Sequence, residues 1–208
     1  MKKLFPLLLV ALFSLSYTDP EPKGFVSIFD GKSFDSWKVG KNASTFSIEN
    51  GSIAVNGPVA HLYYDGPVRQ HQFSDFELML DVMTTPGSNS GVYFHTAFQE
   101  EGWPQKGYEV QVNNSHTDWR RTGSLWAIQD TRETYVKDNE WFTLHIKVKG
   151  KRVTVKINDR QVVDYTEPEG VERPEGLKER LIGKGTFALQ GHDPKSKVYY
   201  KNIKVKAW

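Results

Sequence analysis

Apolar and polar side chains alternate with a period of two over much of the chain after Gly24. Large apolar residues occupy every even position of the segment 76–83, and the segments 153–157 and 198–205 show similar alternation. Because successive side chains of a β-strand point to opposite faces, this pattern predicts strands with one buried face. We predict strands near residues 25–29, 45–48, 52–56, 73–83, 90–96, 108–112, 123–128, 140–149, 152–157, 160–165, 185–190 and 197–206.

Turn-forming dipeptides separate these predicted strands. Asn50-Gly51, Pro86-Gly87, Gly150-Lys151 and Asn158-Asp159 stand between apolar runs, and such residues favour the backbone conformations of tight turns. The sequence contains no long amphipathic helical window. Many short strands joined by turns predict an all-β fold, a two-sheet antiparallel sandwich of jelly-roll type.

The segment 167–184 departs from this alternation. It is polar, rich in Pro and Gly, and lies between two predicted strands. Such a segment is either a solvated surface loop or a rim or lid over a site. The sequence leaves both interpretations open.

The first sixteen residues have the pattern of a secretory signal peptide. A basic start precedes an apolar run at 4–13, and the small residues Ser14 and Ser16 follow. The run is too short to span a bilayer as a stable anchor, although an uncleaved N-terminal anchor is the alternative. We therefore expect three parts: a signal peptide at 1–16, a linker at 17–23 and one exported domain at 24–208, in the periplasm or outside the cell.

Composition and charge exclude several classes of function. The 208 residues contain no cysteine, which excludes disulfides, a thiol nucleophile and a thiolate zinc site. Cleavage after Ser16 would remove two lysines and no acidic residue, so the formal charge would fall from +2 to zero. A neutral mature chain lacks the positive electrostatic field that attracts nucleic acid. We expect no nucleic-acid partner, and no membrane contact after cleavage.

Polar side chains share one face of the predicted strand at 108–112. Alternation places Tyr108 and Val110 on one face, and Glu109, Gln111 and Asn113 on the other. Three hydrogen-bonding side chains in a row are costly to bury without partners. They are typical of a groove that receives a polar ligand, although a single Glu on a strand is more often solvated.

Two further predicted strands carry polar groups in the same way. Asn89, Tyr93 and His95 share one face, and Gln190 and His192 lie opposite the apolar face of a later strand. An antiparallel sheet that places these strands side by side would gather the groups on one concave surface. A single histidine is more often structural, so this hypothesis depends on strand adjacency.

Tryptophan side chains also point to carbohydrate. Trp103, Trp119 and Trp126 lie among turns and polar residues in the middle of the chain. Flat aromatic rings can stack on the apolar faces of sugars, although packing in the core or at a rim is the ordinary role of a tryptophan. We include Trp126 among the candidate sugar-binding residues.

The carboxylate pattern of retaining sandwich glycosidases is missing. Those enzymes need two closely placed carboxylates, usually on a strand with the pattern Glu-x-Asp-x-x-Glu. The matching stretch here, 109–114, has amides at the second and third acidic positions, and the sequence does not fix the distance to Asp81. This pattern disfavours ordinary double-displacement hydrolysis.

Short motifs follow one another in order along the chain. Between the opening segment 29–37 and the closing segment 198–203 they are Phe76-Glu77-Leu78, Asn89-Ser90-Gly91-Val92-Tyr93-Phe94, Gly107-Tyr108-Glu109-Val110-Gln111, Thr122-Gly123-Ser124-Leu125-Trp126, Glu140-Trp141 and Leu189-Gln190-Gly191-His192. Each motif alone is weak, but the ordered set runs from about Gly24 to Trp208. Together with its opening and closing segments, this set resembles the 3-keto-disaccharide hydrolase family.

The resemblance implies a two-sheet jelly roll of the concanavalin A-like lectin and glucanase type. It also implies an exported bacterial protein that cleaves glycosides whose sugar has been oxidised to a ketone at C3. Glu109, Gln111 and His192 match the family's polar motif positions. His95 stands where many members have Arg, and Asn113 stands where an acid is common.

The implied chemistry explains why one base is sufficient. A C3 ketone acidifies the C2 hydrogen, so its removal lets the C1 substituent leave by β-elimination, and water can add back. We expect Glu109 or His192 to be the base and the other to be the acid. Gln111, Asn89 or a divalent metal ion would polarise the ketone, although no ligand spacing demands a metal. The alternative is a non-catalytic carbohydrate-binding module that uses the same face.

Overall fold

The computed structural model describes residues 23–208, which form two antiparallel β-sheets packed face to face. The eight-stranded sheet contains β1 (Val26–Ser27), β3 (Phe46–Glu49), β4 (Ser52–Val55), β6 (Phe76–Thr84), β9 (Phe142–Lys149), β10 (Arg152–Ile157), β11 (Arg160–Thr166) and β13 (Val198–Ala207). Its order is β11-β10-β9-β6-β13-β4-β3, and β1 pairs with β13. The five-stranded sheet contains β2 (Trp37–Val39), β5 (Ala60–Tyr64), β7 (Ser90–Thr96), β8 (Tyr108–Val112) and β12 (Thr186–Gly191), in the order β2-β5-β12-β7-β8. The predicted two-sheet, all-β sandwich is confirmed.

Most predicted strands are present within a few residues, but two were missed. All five residues of β5 are buried, so its sequence shows no alternation of apolar and polar positions. The strand β2 has only three residues, which is too short for a periodic pattern.

The predicted strand at 123–128 is wrong. The segment hydrogen-bonds to β8 through Trp126 N–H and Glu109 O at 2.9 Å. However, positive φ angles at Gly123 and Ala127, of 91° and 60°, turn the backbone away from an extended path. The segment is therefore a turn that lies against β8.

The hydrophobic core fills the space between the two sheets. The even positions of β6 and those of β9 are buried there, while their odd positions are partly exposed. Aromatic rings bridge the sheets: Phe76 of β6 and Phe187 of β12 meet edge to face with centroids 4.9 Å apart. This burial of one face follows the period-two pattern of the sequence.

The outer face of the five-stranded sheet is also covered. Every residue of β5, β7, β8 and β12 is buried. The connections 97–107, 113–141 and 167–185 supply side chains above this face. No helix within residues 23–208 is long and apolar enough to cross a membrane. The predicted signal peptide at 1–16, and the linker apart from Lys23, lie outside the described residues.

Candidate functional site

A cavity of about 510 Å³ lies over β12, β7 and β8, which are neighbours in the five-stranded sheet. Its volume is within the range of small-molecule sites. The predicted adjacency of the three polar strands is therefore confirmed. Seven of the nine candidate residues line this cavity: Asn89, Tyr93, Glu109, Gln111, Trp126, Gln190 and His192.

His95 lies outside the cavity, contrary to our expectation. The pairing of β7 with β12 shifts register between Thr186 and Ala188, and His95 has a φ of 56°. This bulge interrupts the alternation and turns the imidazole towards Phe76 and Phe94. His95 is fully buried; Nε2 donates to Ser74 O at 2.8 Å and Nδ1 accepts from Gly183 N–H at 3.2 Å. Burial lowers the pKa of this imidazole, so the side chain is a neutral structural link.

Asn113 also lies outside the cavity. Its Nδ2 donates to the carbonyl oxygens of Asp118 and Arg120 at 3.0 and 2.7 Å. Its Oδ1 accepts from His116 N–H at 2.8 Å and from Arg121 Nη1 at 3.2 Å. Because its amide is fully engaged, Asn113 organises the loop beside the cavity rather than offering groups to a ligand.

Glu109 is the most enclosed carboxylate of the cavity and is 5% exposed. Tyr93 Oη donates to Oε2 at 2.7 Å, and Gln190 Nε2 donates to Oε1 at 2.8 Å. A Cβ at Gly91 would lie 2.4 Å from Oε1, so the missing side chain there makes room for the carboxylate. Burial raises the pKa of Glu109, while the hydrogen bond from Tyr93 and the charge of Arg180 act against that rise.

Asn89 and Gln111 bind each other on the same face. Gln111 Nε2 donates to Asn89 Oδ1 at 2.6 Å, and Asn89 Nδ2 lies 3.4 Å from His116 Nδ1. One N–H of each amide is therefore directed to a protein group, whereas we expected one of these side chains to polarise a substrate ketone.

His192 is paired with a carboxylate that sequence reasoning missed. Its Nδ1 lies 2.7 Å from Asp193 Oδ2. Burial alone would raise the pKa of Asp193, but hydrogen bonds from His192, Ser196 and Lys195 N–H hold it at about 2. The ionised Asp193 therefore accepts a hydrogen bond from Nδ1–H, which leaves Nε2 as the ring nitrogen that does not face Asp193. The sequence signal that could have revealed this pair is the aspartate that directly follows His192.

His116, His192 and Asp193 each offer an atom within 4.8 Å of the others, as a metal site would require. Both oxygens of Asp193 and one ring nitrogen of each histidine are, however, already engaged in hydrogen bonds. Both oxygens of Asp193 accept hydrogen bonds from His192, Lys195 and Ser196, and His116 Nδ1 accepts from Asp118 N–H at 3.0 Å. The three residues therefore belong to hydrogen-bonded networks beside the cavity.

The segment 167–184 is a rim of the cavity, which resolves the two interpretations left open by the sequence. It contributes Gly176, Leu177 and Arg180 to the lining. Arg180 is 5% exposed, and its Nη2 lies 3.8 Å from Glu109 Oε2. Sequence reasoning missed this residue because nothing in a polar loop distinguishes one buried arginine from its exposed neighbours.

The tryptophans of the central region differ in what covers them. Guanidinium groups of Arg120 and Arg180 lie 5.0 and 5.7 Å from the ring centroid of Trp126. Trp103 also lines the cavity, is 45% exposed, and lies 5.5 Å from the His192 ring. Trp103 is therefore the more open stacking surface. Trp119 is partly exposed and lies outside the cavity lining.

Comparison with known proteins places this arrangement in a family. A 3-keto-disaccharide hydrolase from Bacteroides thetaiotaomicron is 29% identical over 171 residues, which cover 68% of this chain and 58% of the relative, so the chain spans little more than half of that protein. A crystal structure described as a glycosyl hydrolase from Parabacteroides distasonis has a TM-score of 0.74 at 23% identity, covering 89% of this chain and 94% of the other.

The fold extends to more distant sandwich proteins. The endo-β-1,3(4)-glucanase SCLam, of glycoside hydrolase family 16, has a TM-score of 0.56 at 10% identity, covering 88% of this chain and 91% of the other. This likeness confirms the expected glucanase-type jelly roll. The family model of the 3-keto-alpha-glucoside-1,2-lyase-like domain matches residues 24–206. The chain therefore belongs to the family of 3-keto-α-glucoside-1,2-lyase-like domains.

Proposed function

We propose that this protein cleaves the glycosidic bond of 3-keto-glycosides through removal of the C2 proton. The observation that carries the proposal is the enclosure of Glu109. Its carboxylate lies in a polar pocket of substrate size, held by Tyr93 and Gln190, with the His192–Asp193 pair on the same sheet face. Family membership and the relative's name support a carbohydrate substrate.

Glu109 acts as the base. Burial raises the pKa of its carboxyl group, which makes the ionised form a stronger proton acceptor near neutral pH. The C2–H electron pair becomes the C2=C3 double bond of an enolate, while the proton moves to Glu109. The enolate oxygen then re-forms the C3=O bond, and the C2=C3 electron pair moves to form a C1=C2 double bond. The C1–O bond breaks, and its electron pair leaves with the oxygen of the leaving group.

His192 protonates the leaving oxygen. Gln190 contacts Glu109, and His192 follows two residues later, about 7 Å from Gln190 along an extended chain. This spacing suits a base at C2 and an acid at the oxygen on C1. Trp103, beside His192, then offers a stacking surface to the leaving group. Addition of water across C1=C2 completes net hydrolysis.

The test is product analysis with the purified protein. We expect release of the leaving alcohol from a 3-keto-glucoside and none from its unoxidised parent, with equal rates in chelator and in added divalent metal. Release from both glycosides would contradict the role of the ketone. Saturable sugar binding without any release would identify a carbohydrate-binding module instead.

Export is part of the proposal. The apolar run at 4–13 and the small residues after it support a cleaved signal peptide. N-terminal sequencing of protein recovered from the periplasm or medium is expected to begin at Tyr17. A membrane-associated product that retains its first residue would support the uncleaved anchor.

A further inference from the structure

We propose that Arg180 is the catalytic residue that stabilises the negative charge on the O3 oxygen of the enolate. The inference rests on the proposed function and assigns a role that we first expected of Gln111, Asn89 or a metal. Arg180 lines the cavity from the rim at 167–184.

Arg180 has hydrogen-bonding capacity that the protein does not use. Its Nη1 is buried without a hydrogen-bond partner among the described residues. Its Nη2 lies 3.8 Å from Glu109 Oε2, beyond hydrogen-bonding distance. The guanidinium remains protonated at any physiological pH, so the cavity holds a positive group with free donors.

The position of Arg180 suits the chemistry at C2 and C3. The acidic hydrogen is on C2, and the charge that its removal creates develops on the oxygen of the neighbouring carbon. A base and an oxyanion donor must therefore lie side by side. Glu109 and Arg180 do so, with Arg180 Nη2 3.8 Å from Glu109 Oε2.

Three other side chains near Glu109 are neutral donors, and two of them already donate to protein groups. Gln111 Nε2 donates to Asn89, and Tyr93 Oη donates to Glu109 itself. The imidazole of His61, buried on the neighbouring strand, has its pKa lowered to about 3 by burial and by the charge of Arg180, so it is neutral. Among the described residues that line the cavity, Arg180 is the one arginine or lysine, so its positive charge is present at any pH at which the base is ionised.

The fold fixes Arg180 relative to the base through the strand that carries Glu109. Tyr108, the preceding residue, donates to Glu167 and accepts from Arg173 Nη2 at 2.7 Å. Arg173 Nε donates to Arg180 O at 3.0 Å, and Gly107 N–H donates to Glu179 O at 2.9 Å. Glu109 and the loop that carries Arg180 are thus both held by β8 and the residue before it. This anchoring fixes the guanidinium of Arg180 in place before substrate binds.

The test compares R180K, R180Q and R180A with the wild type and with R132Q as a matched control. Arg132 lies against Trp119, outside the cavity lining. For R180Q we expect kcat on a 3-keto-glucoside to fall about 10²- to 10³-fold, the usual cost of an oxyanion donor, with KM changed far less. R180K retains the charge and is expected to lose less, while R132Q keeps the wild-type rate.

Chemical rescue separates catalysis from structure. Guanidinium ion is expected to restore turnover in R180A in a saturable manner, and to leave a Glu109→Gln variant inactive. Thermal unfolding of each variant verifies that it is folded. Wild-type kcat in R180Q, or a loss that neither R180K nor guanidinium relieves in a folded variant, overturns the role of Arg180 alone. A wild type that cleaves no 3-keto-glucoside overturns the proposed function, and this inference with it.

Discussion

The outer faces of the two sheets differ in a way that locates the site. On the eight-stranded sheet the outward side chains of β6 and β9 are partly exposed. On the five-stranded sheet β7, β8 and β12 are buried on both faces, yet their outward side chains include Glu109, Gln111 and Gln190. Polar side chains are common on a solvent-exposed face, whereas burying them on a covered face costs free energy. The covered face is therefore where ligand chemistry is expected.

Glu77 and Glu109 show the difference between the two outer faces in residues of the same type. Both are strand glutamates on outward faces. Although partial burial opposes it, Lys147 and His145 hold the pKa of Glu77 below its ordinary value. Burial raises the pKa of Glu109, and its nearest cation lies 3.8 Å away. The same residue type is an ion-pair partner on one sheet and the proposed proton acceptor on the other.

The largest expected effect comes from exchanging these two residues for glutamine. Glu109→Gln removes the base, so kcat on a 3-keto-glucoside should fall about 10²- to 10⁴-fold. Glu77→Gln disrupts only a partly exposed ion pair, so it should keep the wild-type rate and lose about 0–1 kcal/mol of unfolding free energy. If both variants lost activity equally in steady-state assays, the different roles of the two faces would be contradicted.

Asp193→Asn should have the next largest effect. The amide cannot hold the protonated Nδ1 of His192 as the carboxylate does, so the acid is misoriented and kcat should fall about tenfold to 10²-fold. The loss should shrink for a substrate whose leaving group needs no proton, such as a nitrophenyl 3-keto-glucoside. An equal loss on both substrates would remove Asp193 and His192 from the leaving-group side.

Trp103→Ala should act on the leaving group alone. Loss of a stacking surface beside His192 should lower kcat/KM for a 3-keto-disaccharide about threefold to tenfold. A 3-keto methyl glucoside has no second ring to stack and should react at the wild-type rate. Trp119→Ala, a change to an exposed ring outside the cavity lining, is the matched control; a similar loss in both variants would point to general destabilisation.

Tyr93→Phe should produce the smallest change, a shift in pH dependence. The active form of Glu109 is ionised, so activity is lost as pH falls through its pKa, which burial has raised. The Tyr93 hydroxyl stabilises the carboxylate, and its removal raises that pKa further, so the acidic limb of kcat/KM should move to higher pH. If the acidic limb of the kcat/KM profile did not move, a group other than Glu109 would control it.

The sequence predicted the site where side-chain alternation held and failed where backbone or long-range packing intervened. Glu109, Gln111 and Gln190 lie as their strand positions predicted, because a regular strand fixes its faces. His95 does not, because a bulge is a local backbone event with no period of its own. The position of Arg180 depends on hydrogen bonds from Arg173 to its carbonyl oxygen and from Gly107 to Glu179, which only the folded chain reveals.

Deuterium incorporation tests the central claim, removal of the C2 proton, most directly. Wild-type protein is allowed to cleave a 3-keto-glucoside in D₂O, and the early 3-keto-sugar product is analysed by mass spectrometry and NMR, against the same product incubated alone. Elimination followed by hydration breaks the C2–H bond, so the account predicts solvent deuterium at C2 of the enzymatic product. Retention of the original hydrogen at C2 in product formed by the enzyme would contradict it.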